Sequence, residues 1–253
     1  MRIDIIDLRD FYVAPLGRVV ARVVDRHLRI LWPNLRGLDL VGLGYAAPLL
    51  EGYRSEAQRV INFMPAGQGV TRWPLDGRNV TALVDEASIP LPDASVDRLL
   101  LVHCLENSEA VRPLLREIWR ILSPSGRMLI VTPNRRGLWA RIDTTPFGHG
   151  RPFSRRQLTQ LMRDAQFTPS QWAEALFMPP FGFQFMMSSW GAWENVGRRL
   201  WPGFSGLLLL EASKQIYALS GERKPLRGLR PVPVTSPAPN LAGRSYMSGR
   251  RSD

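Results

Sequence analysis

The chemistry-bearing residues of this chain fall into a few short segments. In Asp39-Leu40-Val41-Gly42-Leu43-Gly44-Tyr45-Ala46-Ala47, two glycines end an apolar run and precede a helix-compatible stretch. Glycines at such a turn let a ligand reach the backbone, and the N–H groups of a following helix point at it. Gly42-x-Gly44-x-x-Ala47 also fits a dinucleotide fingerprint, but that chemistry needs a ribose-binding acid about 20 residues on, and position 62 is Asn62. The competing reading is a tight turn packed for steric reasons alone. Two histidines are candidates for proton transfer, because imidazole titrates near neutral pH. His103 ends the apolar run Arg98–His103, where a structural histidine is the alternative. His149 lies in the Gly/Pro-punctuated segment from Thr145 to Phe153, where it competes with a plain exposed loop. Cys104 reads as a small buried residue. Arg135 and Arg136 suit an acidic substrate or an exposed helix start. One cysteine excludes an internal disulfide, and three histidines beside it are too few for a Cys/His zinc cluster.

The elements that position these residues alternate. Pro15 opens a helix whose Val19, Val20, Val23, Val24 and Leu31 share one face, while Arg18, Arg22 and Arg26 form a basic stripe. Strands are expected at Leu38–Val41, Arg59–Met64, Val80–Val84, Arg98–His103 and Arg127–Thr132. Later strands are expected at Gln171–Phe177 and Leu207–Ile216. Helices are expected over Ala46–Arg59, Ser108–Leu122 and Ser154–Ala165, with Ser154 as N-cap. Near-continuous apolar strands between helices point to a parallel sheet covered on both faces.

Two further segments are more specific. Asp85-Glu86-Ala87-Ser88-Ile89-Pro90-Leu91-Pro92-Asp93-Ala94-Ser95-Val96-Asp97 leads into the fourth strand. Leu115-Arg116-Glu117-Ile118-Trp119-Arg120-Ile121-Leu122-Ser123-Pro124-Ser125-Gly126-Arg127 leads into the fifth. In order and spacing this series resembles the class I S-adenosylmethionine-dependent methyltransferases of the type 11 family, strongly from Leu38 to Asn134. The resemblance implies a Rossmann-like, mostly parallel seven-stranded sheet with helices on both faces. It implies S-adenosylmethionine as cofactor, with Gly42 and Gly44 at its methionine part and Asp85 and Glu86 at its adenine. Tyr45 and Met64 join that cofactor set, and His103 sits near the transferred methyl, with His149 as a second catalytic candidate. The chain departs from the family at Leu40, where an acid is usual, at Ala46, where a glycine is usual, and at the end of the second strand. There Asn62-Phe63-Met64-Pro65-Ala66 offers no ribose-binding acid, leaving Gln68 or backbone groups to substitute. Gly67–Asn79 is rich in Gly and Pro where the family has a helix.

Composition sets the wider frame. The chain has 253 residues, 45% apolar, with 33 basic and 22 acidic residues and a formal charge of +11. From Glu222 to Asp253 there are seven basic residues, two acids, five prolines and little apolar content, so a disordered tail is expected. Residues 1–36 read as a helical extension, 37–221 as the methyltransferase-like domain, and 222–253 as that tail. Within the domain, 177–204 is an aromatic-rich insertion holding Phe177, Phe181, Phe183, Phe185, Trp190, Trp193, Trp201 and Phe204, plus Met178, Met186 and Met187. It reads as extra core covering the sheet, an apolar substrate pocket or lid, or an oligomer or membrane-surface contact. No run approaches a membrane span, and MRIDIIDLRD has no signal-peptide core, so a cytoplasmic protein is expected. The leading expectation is methyl transfer to a small or hydrophobic acceptor. The alternatives are a non-catalytic binding module with a degenerate cofactor site and a basic protein that meets nucleic acid through its tail; a dinucleotide enzyme ranks below both. Oligomeric state is left open.

Overall fold

The structure, a computed structural model, describes residues 3–180, 190–200 and 203–215, apart from the side chain of Trp193. Seven strands form one sheet in the order β3-β2-β1-β4-β5-β7-β6. They are β1 (Asp39–Gly44), β2 (Arg59–Pro65), β3 (Thr81–Val84), β4 (Val96–Val102), β5 (Leu122–Pro133), β6 (Phe167–Ala175) and β7 (Leu207–Lys214). The first five strands run parallel, and β7 lies antiparallel between β5 and β6.

Side chains on successive strand positions go to opposite faces, and here both faces are apolar. Leu100 and Val102 of β4 join one layer with Leu40, Met64, Leu129 and Val131. Leu99 and Leu101 join the other with Val41, Leu43, Met128 and Ile130. Each fully buried side chain of this size is worth roughly 1.5–3 kcal/mol, so two-sided burial is what makes the sheet the spine of the fold. The first layer is covered by α1 (Ile5–Val13), α2 (Pro15–Leu31) and α3 (Ala47–Leu50). The second is covered by α4 (Val111–Ile121) and α5 (Arg155–Asp164). Ser154 caps α5 in a reciprocal box with Gln157. On α2 the valines and Leu28 are buried, and Arg18, Arg22 and Arg26 face solvent.

Several expectations are corrected. The helix expected over Ala46–Arg59 is only α3 followed by a 3₁₀ turn, Glu51–Tyr53. Its apolar stripe ends at Tyr53, and Glu51 is drawn off to the indole N–H of Trp73 at 2.8 Å and to Arg54 at 2.7 Å. The family's helix between β2 and β3 is replaced by turns through Gly69 and Gly77, both at positive φ. β6 begins at Phe167 rather than Gln171. Within the 1–36 helical extension no separate helix before Pro15 was marked out; Asp4 caps α1 through the Ile6 N–H, and Ile5, Leu8 and Tyr12 line one face. In the aromatic stretch, α6 (Trp190–Leu200) sends Glu194 to the backbone N–H groups of Leu176 and Phe177. Met178 is core and Phe204 is exposed. Phe181, Phe183, Phe185, Met186, Met187, Trp201, the Trp193 side chain and the 222–253 tail lie outside the described residues.

One buried carboxylate ties the end of α2 to the sheet and bridges the strands β5 and β6 on either side of its own. Glu211 of β7, with no exposed surface, accepts from the Trp32 indole (2.9 Å), the Ser170 hydroxyl (2.8 Å) and the Arg127 guanidinium (3.1 Å). Glu211→Ala leaves the indole and the guanidinium without their acceptor and is expected to cost about 2–4 kcal/mol, read by urea unfolding. An unchanged midpoint would show that the three bonds contribute nothing net.

Candidate functional site

The sheet order changes direction at β1. The chain moves from β1 outward to β2 and β3, then returns to place β4 on the other side of β1. The carboxyl end of such a switch point is where open α/β sheets hold ligands, because the two flanking loops diverge there. In this chain it is formed by Gly44 of β1, which pairs with Val102 of β4, and by the residues that follow each strand.

Gly44 has φ +86°, and a Cβ there would overlap the Val102 carbonyl oxygen, so only glycine fits. The next residue, Tyr45, is buried and donates its N–H to the same carbonyl at 2.9 Å. Gly42 is hemmed in by the Asn62 amide, a Leu50 methyl and Ala46. Its missing side chain makes room for the protein's own packing, which favours the steric reading of this glycine over the ligand-approach one.

Directly after β4, His103 sits at φ +52°, a strained conformation for a residue with a side chain. Its carbonyl is held by the Gln68 side-chain amide and by the Asn107 amide at 3.1 Å. The ring is 1% exposed. Nε2 lies 3.0 Å from the Tyr12 hydroxyl of α1, and Nδ1 lies 3.5 Å from a Glu106 carboxylate oxygen. Burial, reinforced by Tyr45 and Glu106, pushes the Tyr12 phenol far above its ordinary value, so it keeps its proton. Because Nδ1 is the nitrogen that faces a Glu106 oxygen, the ring proton is assigned to Nδ1, which leaves Nε2 to accept from the Tyr12 hydroxyl. Burial likewise pushes Tyr45 up to about 12 and raises the Cys104 thiol, which stays protonated.

Aromatic rings close this centre from above. Phe147 lies 4.7 Å from the His103 ring centroid, Tyr45 lies 5.5 Å from Tyr12, and Phe11 meets both Tyr12 and Phe147 edge-on. α1 is fixed over it by a bond from the Ile5 N–H to the Gln68 carbonyl at 3.0 Å. Beneath, six buried polar side chains have atoms without a hydrogen bond from the described residues: Asn62 Oδ1, Gln68 Oε1, His103 Nδ1, both Glu106 oxygens, Asn107 Oδ1 and Thr132 Oγ1. They stand on or just after β2, β4 and β5. A buried polar group without a partner costs about 1–3 kcal/mol, so this cluster suits a polar ligand that would satisfy it.

Known proteins resemble this chain in sequence and in fold. Residues 38–130 match the family model of the methyltransferase domain. A probable S-adenosylmethionine-dependent methyltransferase of Mycolicibacterium smegmatis is 37% identical over 83 residues, 32% of this chain and 32% of that protein. The match thus spans about a third of the length of the curated relatives. An S-adenosylmethionine-dependent methyltransferase from Thermotoga maritima superposes with a TM-score of 0.56 at 16% identity, covering 82% of this chain and 94% of that one. One from Mesorhizobium loti gives 0.55 at 15% identity, covering 75% and 96%. The sheet has the fold of the class I methyltransferases.

The fold brings some of the expected site residues together and not others. Gly42, Gly44, Tyr45 and His103 meet at the switch point. Met64 is wholly buried in the core layer, with its sulfur accepting the Thr71 N–H at 3.4 Å. Asp85 is exposed at the end of β3, its carboxylate taken by the Ala87 N–H, and Glu86 bonds the Ser108 hydroxyl beyond β4. His149 is not gathered with His103: its Nε2 bonds the Asp143 carbonyl at 3.0 Å within its own loop, and that loop contributes Phe147 instead. Asn62 is not at the end of β2 but level with Gly42, its amide donating to the Gly44 carbonyl at 3.3 Å. Tyr12, Glu106, Asn107 and Phe147 went unnoticed in the sequence; only the buried face of α1 could have signalled Tyr12. A cavity lined by Arg112, Arg116, Trp119 and Asp164 opens between α4 and α5, away from this centre.

The two glycines separate in a stability experiment. Gly44→Ala meets both a positive φ and a backbone oxygen, and is expected to cost about 2–4 kcal/mol. Gly42→Ala meets mainly side chains that can shift, and is expected to cost about 1–2 kcal/mol less than that. Equal losses on urea unfolding would contradict the packing described.

Proposed function

We propose that this chain transfers a methyl group from S-adenosylmethionine to an acceptor, using the switch point as its site. The observation that carries the reading is the cluster of partnerless buried polar atoms around His103, at the end of a sheet whose sequence matches the methyltransferase domain. The cofactor, when bound, supplies a sulfonium methyl group. Everything else falls to this chain's residues. The buried Gly44 turn is assigned to the methionine part, and Asp85 and Glu86 to the adenine end. Gln68 Oε1 and Asn62 Oδ1 are the free acceptors nearest the position of the absent ribose acid. His103 Nε2 takes a proton from an acceptor that arrives protonated, and Glu106 steadies the charge that then forms on the ring. Tyr45, Phe147 and Trp139 keep water out. His149, engaged with Asp143, plays no direct part.

A second reading is favoured by a specific observation. The site lacks a ribose carboxylate and is covered by α1, as expected of a binding module that keeps the fold without turnover. Losing that carboxylate costs about 1–3 kcal/mol, or tenfold to a hundredfold in affinity, which weakens binding without abolishing it.

Calorimetry and thermal unfolding of the full chain with S-adenosylmethionine and S-adenosylhomocysteine test the proposal. Cofactor at a hundred times its dissociation constant is expected to add about 2.7 kcal/mol and raise the melting temperature by several degrees. Asp85→Ala is expected to weaken binding about tenfold. No binding of either compound at millimolar concentration overturns the enzyme reading and leaves the binding module.

A further inference from the structure

The tyrosine over His103 is a foreign element in the site. Tyr12 comes from α1, outside the strands and loops that build the rest, and its hydroxyl makes its bond to Nε2 rather than to backbone or solvent. Its ring is gripped as a ligand would be. Tyr45 lies tilted against it, and Phe11 and His103 meet it edge-on at 5.2 and 5.7 Å between centroids. Phe147 stacks on His103 beside it. Below, both oxygens of the buried Glu106 carboxyl group lack a hydrogen bond among the described residues.

We propose that Tyr12 holds the place of the methyl acceptor: the acceptor is a planar aromatic with a phenol-type hydroxyl, which takes the Tyr12 position on His103 when α1 lifts away. This rests on the methyltransferase reading and names the substrate class of the same site.

Three features select that class. Nε2 is an acceptor, so its partner must donate. The aromatic walls favour a flat ring over an aliphatic chain. None of the described side chains packed ring to ring on Tyr12 and His103 is a cation, so a carboxylate acceptor would find no charge partner there. For this exchange α1 must leave the core layer that it covers. It has 9 residues, and Ala14 joins it to α2 in an extended conformation where a hinge can act. In the transfer, the hydroxyl proton passes to Nε2. The oxygen electron pair freed from the O–H bond forms the new O–CH₃ bond, and the sulfonium S–CH₃ pair stays on sulfur. The imidazolium left behind faces Glu106.

The test uses p-cresol, which is the tyrosine side chain cut free, and toluene, which has the same ring without the hydroxyl. The full chain carrying Tyr12→Ala is labelled with ¹⁵N-histidine; with three histidines in the chain, the His103 signals are resolved. p-Cresol is expected to bind about tenfold tighter than toluene and to move the His103 Nε2 resonance while leaving those of His27 and His149 in place. Adding His103→Phe is expected to remove the preference for the hydroxyl. Equal binding of the two probes, tighter binding of p-toluidine than p-cresol, or a still His103 signal overturns the proposal. Should Tyr12→Ala fail to fold, the wild type serves. There saturating p-cresol, but not toluene, is expected to speed amide exchange over residues 5–13, and no difference between them overturns the proposal. Neither probe carries a methyl donor, so loss of cofactor binding, which would sink the methyltransferase reading, leaves this result readable on its own.

Discussion

Everything at the functional end of this protein depends on one close approach, that of Gly44 to the Val102 carbonyl. A side chain at Gly44 would push β1 and β4 apart at their carboxyl ends. Without one, the two strands stay paired to their last residues, and the chain leaves each of them abruptly. Leaving β1, it turns at positive φ and buries Tyr45. Leaving β4, it also turns at positive φ, and this time the residue is His103. Glycine adopts that conformation without cost, whereas histidine needs compensation. The compensation is visible in the two side-chain amides, from Gln68 and Asn107, that converge on its carbonyl. The strain and the polar cluster are therefore two aspects of one arrangement.

Above the switch point the chain closes on itself. α1 and the 146–148 turn bring Tyr12, Phe11 and Phe147 over the histidine, and Trp139 supports Phe147 at 5.7 Å. The closed centre is dry, which raises the phenols and the thiol above their ordinary pKa values and gives each hydrogen bond in it more weight. A dry aromatic roof over a partnerless carboxylate is a poor final state for folding alone. It makes sense as the resting form of a site that exchanges its own tyrosine for a ligand.

How far the sequence revealed this differs from element to element. The sheet was legible because its strands are apolar on both faces, and the segments around Pro90–Asp97 and Leu115–Gly126 keep a recognisable order. α5 was legible from Ser154 and Gln157, whose reciprocal cap is a local interaction. What stayed hidden is non-local. α1 has three buried positions and a capping aspartate, but nothing in residues 4–13 tells which surface it covers. Glu106 looks like any acid before a helix until burial removes its solvent. His149 looked catalytic because it follows a strand, yet its neighbour Phe147 is the residue that reaches the centre. The glycine pattern suggested room for a ligand, whereas at Gly42 that room is taken by Asn62 and Leu50.

The most direct measurement is amide hydrogen exchange of the full chain with and without saturating S-adenosylmethionine. If the switch point is the cofactor site, exchange slows at residues 42–46 and 103–107, the two segments that leave β1 and β4. Binding with unchanged exchange in both segments, and slowing confined to another region, would contradict the placement of the site.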